Sequence, residues 1–171
     1  MNEPVFTFEN LYRAYLNCHK NKRWKRKVLE FELHAEEELL ELTRELRERT
    51  YRILSSACFV TESPKPREVF AAHFRDRIVH HLLVRYLEPE WEPRFIYDSY
   101  ACRKGKGTHA AVKRLQCFMR KVSNNRSRAA FSLQIGIRSF FMSINKRIFF
   151  ALLEGKENNL DIVWLLKTVK V

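Results

Sequence analysis

The sequence predicts an α+β fold, mostly helical, with a β-hairpin in its first half and one central strand in its second. Apolar residues recur at steps of three and four through most of the chain, the stripe of an amphipathic helix. Between residues 57 and 72 this period gives way to two short apolar runs on either side of Ser63-Pro64-Lys65-Pro66. Between Phe131 and Ile137 it gives way to strict alternation. Phe131, Leu133, Ile135 and Ile137 fall on one side and Ser132, Gln134, Gly136 and Arg138 on the other, the period of a strand with one face buried.

Taken in order, Phe8, Leu11, Tyr15 and Cys18 predict a short helix over 6–18. Lys20 to Lys27 follows, a basic cluster with six Lys or Arg among its eight residues and Trp24 in the middle. It reads either as a solvated loop with Trp24 anchoring it to the core, or as a grip on a phosphate backbone with the ring stacked on a base. Phe31, Ala35, Leu39, Leu42 and Leu46 then predict one helix over 28–49, whose glutamate-rich outer face is a poor surface for a polyanion. The hairpin comes next: Cys58 and Val60 precede the prolines and Val69 and Phe70 follow, so the prolines fit the turn and Lys65 and Arg67 lie near its tip.

Phe74, Ile78, Leu82 and Tyr86 predict a helix over 73–87, with Pro89 and Pro93 ending the regular structure. His80 and His81 are sequence neighbours and cannot share a ligand as an i, i+4 pair would. Asp76 near the helix start is accounted for by the helix dipole and a local salt bridge. Gly105-Lys106-Gly107-Thr108 lacks the earlier glycine and preceding strand of a nucleotide-triphosphatase phosphate loop, so that reading is rejected. Thr108 is placed as the N-cap of a helix carrying Ala111, Leu115, Phe118 and Val122. Glycines, cations and a helix start together suit a phosphate. After the alternating stretch come helices over 146–153 and 160–169.

Composition narrows the function classes. Among 171 residues, 32 Lys and Arg against 20 Asp and Glu leave a net charge of +12, which points to a polyanion partner, nucleic acid first. The four cysteines, Cys18, Cys58, Cys102 and Cys117, show no paired spacing and read as reduced thiols. No apolar run approaches the roughly 20 residues that span a bilayer and no signal-peptide pattern opens the chain, so a soluble cytoplasmic protein with no membrane partner is expected.

Four stretches, in this order, resemble the reverse transcriptases of bacterial retroelements. They are Pro64-Lys65-Pro66-Arg67, Arg75-Asp76-Arg77-Ile78-Val79-His80-His81, the loop Asp98-Ser99-Tyr100-Ala101-Cys102-Arg103-Lys104-Gly105-Lys106-Gly107-Thr108, and Ser139-Phe140-Phe141-Met142-Ser143-Ile144. The likeness is closest to the diversity-generating retroelement type and more distant to the group II intron type. It implies a mostly helical fingers subdomain with the hairpin over 1–125 and the first strand and helices of an incomplete right-hand polymerase palm over 126–171. It implies RNA-directed DNA synthesis with Mg2+, deoxynucleoside triphosphates, an RNA template and an RNA-DNA duplex as cofactor, substrates and partners. Lys65 and Arg67 match positions that meet the incoming triphosphate, with Arg103 as companion, and Phe141 matches the aromatic gate against the ribose 2′-hydroxyl. Lys22, Arg23, Trp24, Lys25, Arg26, Lys104 and Lys106 are the expected contacts to nucleic acid.

Two departures shape the expectation. Gly136 stands where the family has its metal-binding aspartate, and the later Tyr/Phe-x-Asp-Asp motif is absent from these residues. Asp161 matches no family ligand. No catalytic residue is therefore intact, no ion is expected at this palm site, and the 171-residue chain is expected to be inactive alone. A truncated or decayed gene copy, or an interrupted coding sequence, is the simplest account. A second polypeptide completing the palm stays open. The alternatives are a non-catalytic module that binds RNA or RNA-DNA duplex, and a helical scaffold for another protein.

Overall fold

The computed structural model describes residues 4–20, 22, 24–63 and 66–169. The elements are α1 (Phe8–His19), α2 (Arg26–Glu32), α3 (Ala35–Arg47), β1 (Ala57–Thr61), β2 (Arg67–Ala71), α4 (Phe74–Trp91), a 3-10 turn (Glu92–Arg94), α5 (Thr108–Val122), α6 (Phe140–Ser143), α7 (Lys146–Glu154) and α8 (Leu160–Thr168). The chain is α+β, mostly helical, with one two-stranded antiparallel sheet among the described residues. It divides into two units, one made of Met1–Leu87 with Lys146–Val171 and the other of Glu88–Asn145.

The first unit holds the core. Leu11 of α1, Leu39, Leu42 and Leu46 of α3, Ile78 of α4 and Ile162 of α8 are fully buried. Three rings tie α1, α2 and α4 together: Phe31 meets Phe74 edge-on at 5.1 Å and Tyr15 at 5.7 Å between centroids. That contact explains a difference from the expected single helix over 28–49. The helix breaks at Leu33 and His34, where His34 takes φ −126, so α2 and α3 run separately. The periodicity of Phe31, Ala35 and Leu39 is that of one helix, but packing of the Phe31 ring overrides a weak local preference. Thr7 caps α1 through a bond from the Asn10 N–H at 3.2 Å, and the Asn159 side chain caps α8 through the Asp161 N–H at 2.9 Å.

The hairpin expected over 57–72 forms, pairing Ala57 with Ala71 and Thr61 with Arg67. α4 runs through Pro89 to Trp91, further than the prolines suggested. Pro89 lies in the last turn, where it removes one helical bond and leaves the upstream ladder intact.

The alternating stretch gives the largest correction. Residues 129–137 belong to no strand, and Phe131 is 96% exposed and Ile137 66% exposed. A strand needs a neighbour for its N–H and C=O groups. Among the described residues β1 and β2 pair with each other, and no third strand offers Phe131–Ile137 an edge. The apolar face expected to be buried is in solvent. α5 shows the same in helical form: Leu115, Phe118 and Val122 make the expected stripe, yet no residue of α5 is buried. No helix among the described residues is long and apolar enough to cross a membrane.

Candidate nucleic-acid interface

The loop between α4 and α5 carries the most built-up polar geometry of the Glu88–Asn145 unit. Arg103 holds it closed. Its Nε donates to Glu92 Oε1 at 2.8 Å, and its Nη1 donates to the carbonyls of Ile96 at 2.9 Å and Ser99 at 3.0 Å. The guanidinium also lies over the Phe95 ring at 5.4 Å. Arg103, a residue expected to meet a triphosphate, thus has its donors directed into the protein.

Lys106 bonds the Tyr97 carbonyl through Nζ, which sits 4.5 Å from the Tyr97 ring centroid and 5.3 Å from that of Tyr100. Lys104, more exposed, pairs with Glu88 at 2.7 Å. Asp98 accepts from Arg114 Nε and from the Tyr100 hydroxyl, both at 2.9 Å. The bond from Arg103 holds the Glu92 carboxyl below the usual carboxylate range, and the bond from Arg114 does the same for Asp98. Both acids stay ionised and the loop stays stapled at any pH near neutral.

Two glycines shape the loop exit. Gly107 is the N-cap of α5 with φ 120 and ψ −174, a backbone open to glycine alone, so the cap falls one residue before the expected Thr108, which is the first helical residue. Gly105 at φ 70 turns the chain just before it. Nothing lies within 4 Å of where a side chain would begin at either glycine, so another molecule can approach this backbone closely.

In the basic stretch after α1, Trp24 is 85% exposed, which removes the core-anchor reading of that ring. Lys25 and Arg26 are exposed, with Arg26 paired to Glu30 at 2.7 Å, and Lys22 is half-buried. Arg23 lies outside the described residues. So does Lys65. Arg67 is exposed at the start of β2.

The Arg75-Asp76-Arg77 motif is structural. Asp76 is fully buried and accepts from the Tyr51 hydroxyl at 2.7 Å and the Leu54 N–H at 3.0 Å. Arg75 pairs with Glu45 and lies over the Tyr51 ring at 5.4 Å. Arg77 Nε donates to the Ala72 carbonyl at 2.8 Å. The helix-dipole account of Asp76 missed this long-range partnership, since Tyr51 gives no sign in the sequence of what its hydroxyl meets.

Phe140 and Phe141 form an edge-on pair at 5.4 Å, with Phe141 exposed. At Gly136 nothing lies within 4 Å of the place a Cβ would occupy. The residues here do not suit magnesium: Gly136 brings no side-chain oxygen, and its alternation neighbours are the amide of Gln134 and the cation of Arg138. No group of three or more His, Cys, Asp or Glu that could hold a metal exists among the described residues.

One signal that sequence reading passed over is the placement of acid. From Ser99 to Leu153 there is no Asp or Glu, against twelve Lys and Arg. No protein-family model matches the chain, and no curated protein matches it.

Proposed function

We propose that this chain is a reverse-transcriptase-type polypeptide of the bacterial retroelement kind, and that it binds RNA-containing duplex without polymerising. In this reading residues 1–125 are fingers and 126–171 open a palm. The family reaction is RNA-templated DNA synthesis from deoxynucleoside triphosphates. Gly136 removes the carboxylate that the metal chemistry needs, which supports a non-catalytic role for these residues.

One observation carries the binding reading: the charge is segregated. The Glu88–Asn145 unit holds eleven Lys and Arg against four Asp and Glu, a net of +7, and all four acids fall at or before Asp98. Solvated surfaces mix signs; a surface of one sign draws a polyanion. Exposed Trp24 and Phe141 add flat faces for bases.

The test is fluorescence anisotropy with a labelled RNA-DNA hybrid between about 50 and 200 mM salt. Log affinity should fall linearly with log salt, with a slope near −0.9 per phosphate contacted. Weak binding that ignores salt would overturn the reading.

A further inference from the structure

At the far end of α5 the chain turns through three successive residues in left-handed backbone, Asn124 (φ 47), Asn125 (φ 54) and Arg126 (φ 72). None is glycine. Asparagine accepts this conformation more readily than arginine, so Arg126 is the costly one. The turn is nonetheless clamped. The Asn125 N–H bonds the Arg120 carbonyl at 2.8 Å, the Arg126 N–H bonds the Ser123 hydroxyl at 2.9 Å, and the Arg128 N–H bonds the Ser123 carbonyl at 3.0 Å. Arg128 Nε adds a bond to the Val122 carbonyl at 2.8 Å, and Ser123 is buried beneath.

Beside the turn lies a pocket of about 330 Å³ lined by Gln116, Met119, Arg120, Ser123, Arg126 and Arg128. Three arginines line it and no acidic residue does. In the same unit Arg94 pairs with Glu90, Arg103 with Glu92 and Arg114 with Asp98, while Arg138 has no acidic partner among the described residues. Among the described residues, the side chains of Arg120 and Arg126 have no such partner. Compensation of the helix dipole accounts for a cation at Arg120 in the last turn, but not for one on the strained residue Arg126 beyond it.

We infer that this pocket is an oxyanion site that takes a phosphate of a nucleic-acid strand. Arginine forks offer paired donors matched to phosphate oxygens, and Arg128, with Nε committed to the turn, is pre-oriented. The Gln116 amide and the Met119 side chain add a polar and an apolar wall. The site rests on the nucleic-acid reading above, and Arg120, Arg126 and Arg128 are among the eleven cations that carry that reading.

The experiment compares the full chain with Arg120→Gln combined with Arg126→Gly, and with a charge-matched control, Arg44→Gln combined with Arg52→Gln. Glycine at 126 keeps the left-handed turn, so the fold survives; thermal melting checks this. The pocket pair should bind the RNA-DNA hybrid about tenfold more weakly than the control at about 100 mM salt. Its salt slope should be shallower by about one to two. A pocket pair that matches the control, while the unaltered chain binds with a steep slope, overturns the site and leaves the nucleic-acid reading standing. Absence of hybrid binding by the unaltered chain overturns both. Inorganic phosphate that binds the unaltered chain and not the pocket pair, with no difference in hybrid affinity, marks a free-anion pocket and overturns the strand assignment.

Discussion

Tyr51 donates its hydroxyl to Asp76 at 2.7 Å inside the first unit, and the same carboxylate takes the Leu54 N–H at 3.0 Å. A fully buried carboxylate with two donors is a clamp between the segment after α3 and the start of α4. Burial, then the bond to Asp76, pushes the Tyr51 hydroxyl well above its ordinary pKa, so it remains a donor. Tyr51→Phe removes one donor from a buried charge and should cost about 1.5 to 3 kcal/mol. Asp76→Ala should cost more, since it orphans both donors. Urea denaturation of the two variants, read by circular dichroism, gives the order.

Gly136→Asp should leave stability nearly unchanged, because nothing lies within 4 Å of the new Cβ and the side chain enters solvent. It should still yield no primer extension with magnesium. The chain's three aspartates are committed elsewhere: Asp76 is buried, Asp98 is held by Arg114 and Asp161 pairs with Arg49 at 3.2 Å. One carboxylate cannot hold two ions. Joining these residues to the palm and thumb of a reverse transcriptase, with and without the substitution, tests the alignment of this segment. Extension should need the aspartate, and equal extension by both forms would sink that alignment.

His80 and His81 set a pH dependence. Burial lowers both pKa values below the ordinary 6.5; for His80 the Asp76 charge pulls the other way and Arg77 adds to the drop, and for His81 Lys22 and His80 add to it. The unfolded chain therefore binds protons that the folded chain refuses. Stability is complete above about pH 6.5 and falls as pH drops toward the folded values. Melting temperatures at pH 5, 6, 7 and 8 should rise and then level off, and His80→Gln should flatten the lower limb.

Arg103→Lys should loosen the loop almost as much as Arg103→Ala, because an ammonium cannot span Glu92 and the carbonyls of Ile96 and Ser99 together. Loss of these bonds should make local opening several-fold more frequent. Trypsin cleavage after Lys104 or Lys106 should accelerate to match.

Elements with a local cause were legible in the sequence. The stripe of Leu39, Leu42 and Leu46, the proline-bounded hairpin and the Ala111 to Val122 periodicity each follow from neighbours a few residues away. What failed depended on distant partners. Phe31 broke its helix by meeting Phe74, Asp76 found Tyr51, and Phe131–Ile137 lacked a neighbouring strand. The loop's cations and glycines were legible as residue types. Which cations are free was not, because Arg103 and Arg114 meet their acids only in three dimensions.

The open stretch Phe131–Ile137 has a bearing on how this protein behaves in bulk. An unpaired stretch of alternating apolar side chains is a template for a strand from another copy, and such segments are restrained by flanking charge. Here Arg126 and Arg128 stand before it and Arg138 after it, with no acid nearby to cancel them. Copies are therefore kept apart by repulsion that reaches about 10 Å at 0.1 M salt and about 3 Å at 1 M. Raising salt removes this barrier to aggregation, so light scattering from the chain should climb between about 0.1 and 1 M salt.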